Sequence, residues 1–159
     1  MAVNRGKKFE EVIKESFLKV PNTSVIRLPD PTQGYLGVRN ISDFIVYHYP
    51  YQYFIECKSV HGNTLPFSNI TKNQYEGMLE MDKIKGVKAG IICWYIDKDI
   101  TLFIPIKTIY IWKTQTDVKS VPSNIADFDL DVKRISSKKK RVFFDYDMKK
   151  FFEDVIWEK

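Results

Sequence analysis

Two strand-like runs stand almost back to back in this chain, at residues 42–48 and 52–58, separated by a short Tyr-Pro-Tyr sequence. β-Branched and aromatic residues dominate both runs, and the short connection predicts an antiparallel hairpin. Side chains two apart on a strand share a face, so Glu56 and Lys58 project together while Ile55 and Cys57 face the other way. An acid and a base on one face of an otherwise apolar strand are expected to be paired or to bind a ligand.

The length of the hairpin turn decides whether Asp43 joins this pair. A two-residue turn places Asp43 opposite Glu56, and a four-residue turn places it opposite Lys58. An odd, unbulged turn would pair Asp43 with Cys57 and send its side chain to the other face. A shared site therefore requires an even turn or a bulge.

The rest of the chain alternates between helical and strand-like patterns. Before the hairpin, the predicted elements are a helix at 5–19 and a short strand at 24–28. After it come a loop at 61–70, a helix capped by Thr71 and running to about 83, and strands at 87–96 and 100–105. The element at 106–113 is ambiguous between helix and strand, and residues 114–131 are mostly loop, followed by a late strand at 141–145 and a helix capped by Asp147 and running through 157. This order predicts an α/β fold with a mixed central β-sheet flanked by helices, in a single domain over residues 1–159. Prolines and glycines between residues 21 and 41 predict a short projecting segment there.

Composition narrows the class of protein. Of the 159 residues, 44% are hydrophobic and 28% charged, which is typical of an ordered globular protein. Two cysteines inside apolar runs predict free thiols in a reducing compartment, and the polar N-terminus lacks the features of a secretory signal, so we expect a cytoplasmic protein. The net charge of +5 is compatible with binding a polyanion but does not require it.

Two carboxylates and a lysine suit phosphodiester hydrolysis. A divalent cation activates the attacking water and neutralises the developing charge, and Mg²⁺ prefers oxygen ligands. Asp43 and Glu56 would supply carboxylates to Mg²⁺ (or Mn²⁺), with the main-chain carbonyl of Cys57 within reach. Lys58 would orient or deprotonate the water, or steady the phosphate. Taken alone, this loose spacing is more typical of a solvated strand face with an acid in a turn.

Four sequence blocks favour the catalytic interpretation. They are residues 4–7 with Glu10, residues 42–44, residues 53–58 continuing through 63–67 to Gln74, and residues 91–112. These blocks resemble the RecU-type Holliday junction resolvases of the PD-(D/E)xK nuclease superfamily. The resemblance is in the order and approximate spacing of the blocks, and it extends over most of the chain. The third block is the most specific. The resemblance implies a restriction-endonuclease-like nuclease core.

The resemblance also implies roles for individual residues. Asp43 and Glu56 match the metal ligands, Lys58 matches the catalytic lysine, and Glu10 and Gln74 match positions that line the active site from the flanking helices. Contacts with DNA phosphates are expected from Arg5, Lys7 and Lys8. The family further implies a homodimer that places two sites across a four-way DNA junction, where twofold symmetry suits paired symmetric cuts.

One departure from the family concerns the segment before Asp43. The family carries a longer insertion there, a stalk that enters the junction, whereas this chain has only residues 20–41, as in a compact phage-like form. Arg27 and Arg39 could serve a shortened projection.

A basic run late in the chain adds candidate contacts to the DNA backbone, formed by Lys138, Lys139, Lys140 and Arg141. The alternatives are another structure- or sequence-specific endonuclease of the same fold, a junction-binding protein without activity, and a protein–protein module whose basic surface is incidental.

Overall fold

The computed structural model of the chain describes residues 4–29, 40–129, 131–140 and 143–154. The helices are α1 (Arg5–Leu18), α2 (Lys72–Asp82), α3 (Ile106–Gln115) and α4 (Met148–Asp154). The strands are β1 (Thr23–Arg27), β2 (Phe44–His48), β3 (Tyr51–Val60), β4 (Thr64–Pro66), β5 (Val87–Tyr95), β6 (Ile100–Pro105), β7 (Ser120–Pro122), β8 (Lys133–Arg134), β9 (Ser137–Lys139) and β10 (Phe144–Tyr146).

Within the described residues, a six-stranded mixed sheet runs in the order β1-β2-β3-β5-β6-β8. β3 and β5 are parallel, and every other neighbouring pair in this sheet is antiparallel. The predicted α/β class and the two predicted strand pairs are confirmed. Two smaller antiparallel pairs, β4 with β7 and β9 with β10, lie outside this sheet.

Apolar clusters cover both faces of the sheet. Ile55 and Cys57 of β3 belong to a cluster shared with α1, α4 and β10, while Phe54 and Val60 belong to a second cluster shared with α2 and α3. Because side chains alternate along a strand, Glu56 points to the α2 side. A strand in the interior of a sheet with both faces covered carries few charges, so a buried glutamate there needs a specific explanation.

Local sequence explains the helices that flank this sheet. Asn4 caps α1 by accepting the Lys7 N–H at 3.2 Å, and Phe9, Ile13 and Phe17 are buried at intervals of one helical turn. Thr71 caps α2 as predicted, and the ambiguous element at 106–113 is helix α3.

The prediction of a loop at residues 61–70 was wrong in part. β4 pairs there with β7, which itself interrupts the loop predicted at 114–131. Three-residue strands carry no detectable periodicity, and their pairing depends on a partner more than 50 residues away in sequence.

The predicted projecting segment is described only in part. β1 joins the edge of the main sheet, and residues 30–39, including Arg39, lie outside the described residues. The late strand is β10, with residues 141 and 142 outside the described range, and α4 is described as far as Asp154. No described helix is long and apolar enough to cross a membrane.

Candidate active site

The hairpin between β2 and β3 brings the two carboxylates together. A two-residue turn at 49–50 joins the strands, and the ladder pairs Phe44 with Ile55. Asp43 comes directly before this pair, and its N–H also donates to the Ile55 carbonyl at 3.1 Å. A hydrogen bond between the Asp43 and Glu56 side chains contributes to the pKa shifts of both, so the two carboxylates are in contact. The expectation of an even turn is confirmed, and the register follows directly from it.

Asp43 is held by the backbone of the neighbouring strand. Its Oδ2 accepts the N–H of Cys57 at 2.9 Å. Burial and the charge of Glu56 raise the pKa of Asp43 to about 7, against the opposing effects of the Cys57 hydrogen bond and the Lys58 charge. The two carboxylates therefore repel each other at neutral pH, and a cation between them would relieve that repulsion.

Glu56 is buried, with 4% of its surface exposed, and its two oxygens have different environments. Oε2 accepts a hydrogen bond from Nε2 of Gln74 at 2.8 Å and lies 3.1 Å from Nζ of Lys58. Burial raises the pKa of Glu56, while Lys58 lowers it. Oε1 is buried and has no hydrogen-bond donor among the described residues. When Asp43 is protonated, its side chain can share the proton with Glu56 in a hydrogen bond. This hydrogen bond raises the pKa of Asp43 and lowers that of Glu56.

This donor set fits a hard divalent cation. A buried carboxylate oxygen without a donor is costly, and coordination to a metal removes that cost. The described residues contain no group of three or more His, Cys, Asp and Glu side chains arranged for a metal. Mg²⁺ is commonly held by one or two carboxylates with waters and phosphate oxygens, so the pair of Asp43 and Glu56 is sufficient.

Lys58 lies on the same face of β3 as Glu56 and is half-buried. Its ammonium group is shared with a carboxylate oxygen and remains partly open to solvent, with 22% of the side chain exposed. A cation in this position can contact both the glutamate and an incoming phosphate.

Helix α2 also supports the backbone that leads into Asp43. Nδ2 of Asn73 donates to the Asn40 carbonyl at 3.3 Å. A Cβ atom added to Gly77 would lie 2.1 Å from Cγ2 of Ile41, so only glycine permits this close approach. The segment two residues before Asp43 is thus packed directly against α2.

Glu10 and Arg27 form an ion pair beside the carboxylates. Nη2 and Nε of Arg27 donate to Oε2 of Glu10 at 3.1 and 3.3 Å. The charge of Glu10 contributes to the raised pKa of Glu56, which places Glu10 near the site. Arg27 was predicted to contact DNA, and in this structure it holds Glu10. The pair lines a depression of about 360 Å³ together with Lys7, Glu11, Lys14 and Phe44.

The predicted phosphate contacts at the start of α1 are exposed. Lys8 lies 3.5 Å from Glu11, and the charge of Arg5 contributes to the lowered pKa of Asp97, which is set mainly by the Gly62 N–H. Lys7 lies along the same first turn. These side chains occupy the end of the helix that carries Glu10, less than two turns before it.

The basic run at 138–140 forms β9 and the residue after it. Lys139 pairs with Asp99 at 2.9 Å, and Lys140 lies 3.8 Å from Asp145. β10, its partner strand, packs on the α1 side of the sheet, opposite the face that carries Glu56. Among the described residues, no contact joins Lys138, Lys139 or Lys140 to Asp43 or Glu56. Arg39 and Arg141 lie outside the described residues.

Sequence reasoning missed the contributions of Asn73, Gly77 and the Thr71 cap to this site. Thr71 was expected only to begin a helix, although the Thr-x-x-Gln spacing is the signature of a capping box. No local pattern could have indicated the contacts of Asn73 and Gly77, because they depend on how α2 packs across the sheet.

No protein-family model matches the chain, and neither does any curated protein sequence. Among solved structures, the chain is similar to Hjc of Archaeoglobus fulgidus, a Holliday junction resolvase from an archaeal hyperthermophile. The TM-score is 0.52 at 15% sequence identity, and the match covers 76% of this chain and 90% of that one. At this identity the likeness shows a common fold, a mixed sheet flanked by helices.

Proposed function

We propose that this protein is a metal-dependent endonuclease that resolves four-way DNA junctions by paired symmetric cuts. The observation that carries the proposal is the buried pair of Asp43 and Glu56, with an unpartnered oxygen among the described residues and Lys58 beside it. The fold shared with a Holliday junction resolvase supports the choice of substrate.

The carboxylates and the main-chain carbonyl of Cys57 would hold Mg²⁺ or Mn²⁺. When bound, the metal would acidify a coordinated water and neutralise charge on the phosphate. Asp43 is oriented for this role because the Cys57 N–H occupies Oδ2. Glu56 is oriented in the same way, because Gln74 and Lys58 both engage Oε2 and leave Oε1 for the cation.

Lys58 would orient the attacking water or steady the scissile phosphate. Its ammonium is anchored by Glu56 and partly exposed, so it can reach substrate without losing its orientation. Glu10 would line the site from α1, where Arg27 fixes its carboxylate.

Substrate binding would use the exposed basic residues and a second copy of the chain. Arg5, Lys7 and Lys8 lie on the helix that carries Glu10, and phosphate contacts there would direct a DNA strand toward the carboxylates. A homodimer would present two such sites to a junction whose resolution needs two symmetric cuts. The run at 138–140 belongs to β9, which pairs with β10 on the α1 side of the sheet, and it would add contacts to the DNA backbone there.

The decisive experiment compares DNA substrates and variants. Purified protein is incubated with a labelled four-way junction, a linear duplex and a flap, each with Mg²⁺, with Mn²⁺ and with EDTA. We expect paired symmetric nicks in the junction that require metal and vanish in the isosteric variant Glu56→Gln. Glu80→Gln is the matched control, because Glu80 is an exposed glutamate of α2 that pairs with Lys83.

Other results would redirect the proposal. Metal-dependent cutting of the duplex or the flap in preference to the junction would retain the chemistry and indicate another endonuclease of the same fold. Tight binding of the junction without cleavage in either metal would indicate a junction-binding protein. An absence of salt-sensitive DNA binding would reject both the endonuclease and the junction-binding protein.

A further inference from the structure

The first turn of α2 connects a helix cap directly to the candidate metal site. Thr71 precedes the helix in an extended conformation, and its hydroxyl accepts the Gln74 N–H at 3.2 Å. In return, Oε1 of Gln74 accepts the Thr71 N–H at 3.1 Å. This reciprocal pair is a capping box, which satisfies two backbone donors at the start of the helix.

Gln74 uses both ends of its carboxamide at once. While Oε1 is bonded to the cap, Nε2 donates to Oε2 of Glu56 at 2.8 Å. A glutamine side chain has several rotatable bonds and would otherwise sample many rotamers, so fixing both ends removes that freedom. Its orientation also has a definite polarity, because only the NH₂ end can face a carboxylate.

We propose that Thr71 is a positioning residue, which holds Gln74 against Glu56 so that Oε1 of Glu56 is presented to the metal. This inference rests on the proposed function. The chain of contacts runs from the Thr71 cap to Gln74 and then to Oε2 of Glu56, where Lys58 makes a second contact at 3.1 Å. With Oε2 held twice, Oε1 is the carboxylate oxygen without a donor among the described residues.

A cap that only stabilises its helix would behave differently. Asp147 provides the comparison, because its Oδ1 accepts the Lys150 N–H at 3.0 Å at the start of α4. α4 packs in the cluster on the other face of the sheet from Glu56. Asp147→Ala therefore removes a cap of similar strength without touching Gln74.

The test compares Thr71→Val, which keeps the shape but loses the acceptor, with Thr71→Ser, which keeps the hydroxyl, and with Asp147→Ala. We expect Thr71→Val to lower the maximal rate of junction cleavage about 2- to 30-fold with little change in KM. That range corresponds to the roughly 0.5–2 kcal/mol of a helix N-cap. Thr71→Ser should restore most of the rate, and Asp147→Ala should retain it despite a comparable loss of thermal stability.

A measurement on the metal-free protein makes the inference independent of activity. The side-chain NH₂ resonances of Gln74, assigned by their absence in Gln74→Met, should be shifted and protected from exchange in the wild type. In Thr71→Val they should shift and lose part of this protection, because the hydroxyl no longer fixes the Gln74 backbone, and they should stay in place in Asp147→Ala. Titration of Mg²⁺ alone should show weaker binding to Thr71→Val by a similar factor.

Two results would overturn the inference. One is a Thr71→Val variant that cleaves at the wild-type rate with unchanged Gln74 resonances. The other is a wild-type spectrum in which the Gln74 amide already exchanges as a free side chain, a test that needs no folded variant. If the wild type cuts no DNA, the proposed function fails, and the resonances still decide whether Thr71 positions Gln74.

Discussion

Replacing Asp43 with asparagine should stabilise the metal-free protein and abolish cleavage. Burial and the charge of Glu56 raise the pKa of Asp43 from 3.8 to about 7, so its charged form destabilises the fold at neutral pH. Asparagine removes that charge, can still accept the Cys57 N–H, and has an NH₂ group that can donate to the Glu56 carboxylate. One substitution would therefore separate folding stability from function.

The magnitude follows from the pKa shift. About three pKa units correspond to roughly 4 kcal/mol if the whole shift is relieved. Because the repulsion is shared with Glu56, whose own protonation would adjust, we expect a gain of about 1–3 kcal/mol at pH 8. For a domain of this size, about 2–4 °C per kcal/mol gives a rise in Tm of about 2–12 °C.

The sign of the pH dependence is fixed by the same argument. The folded pKa of Asp43 lies above its unfolded value, so the wild type loses stability as the pH rises from about 4 to about 7. Asp43→Asn lacks this loss, so the difference in the free energy of unfolding between the variant and the wild type should shrink toward pH 4. Added Mg²⁺ should stabilise the wild type, by about 2.7 kcal/mol at one hundred times its Kd, but not the variant.

Thermal and urea unfolding in EDTA at pH 5 and pH 8 would measure these differences. Asp97→Asn is the control, since hydrogen bonding to the Gly62 N–H and His61 lowers the pKa of Asp97 and its replacement should bring no gain. If Asp43→Asn is no more stable than the wild type at pH 8 without metal, the two carboxylates do not repel each other as argued, and the metal site loses its main support.

Three further outcomes are expected. Gly77→Ala should slow cleavage at least tenfold, because the added Cβ would displace Ile41 and with it Asp43, although alanine by itself favours a helix by about 1 kcal/mol. Ile41→Ala in the same chain should recover part of the rate, and a wild-type rate in Gly77→Ala would contradict the packing. Lys58→Met should lower the cleavage rate and move the acidic limb of its pH profile upward, because Lys58 lowers the pKa of Glu56, and an unmoved limb would separate the lysine from the glutamate. Lys7→Ala should reduce the slope of log binding constant against log salt by about 0.9 on duplex DNA, whereas an unchanged slope would remove Lys7 from the interface.

The sequence was sufficient for the part of the site that depends on strand geometry. Side chains on a strand alternate with a period of two, so the short turn before β3 restricted Asp43 to a few registers, and the two-residue turn of the structure brings it to Glu56. The helix cap at Thr71 is likewise local, since a cap bonds to a residue only three positions away.

Contacts between elements distant in sequence could be decided only by the tertiary structure. The pairing of β4 with β7 and the ion pair of Arg27 with Glu10 were not predicted, because neither has a local signal. The most consequential case is the placement of α2 against β5, which brings Gln74 to one oxygen of the buried Glu56 and packs Gly77 against the approach to Asp43.

The sequence alone therefore determined which residues could share a face, because a strand's periodicity and a turn's length are properties of the local chain. Which oxygen of Glu56 is engaged, and which is left for a cation, depends on a helix that follows more than ten residues later. That arrangement is set by packing of the apolar clusters on the two faces of the sheet, and packing acts between residues that no local pattern connects.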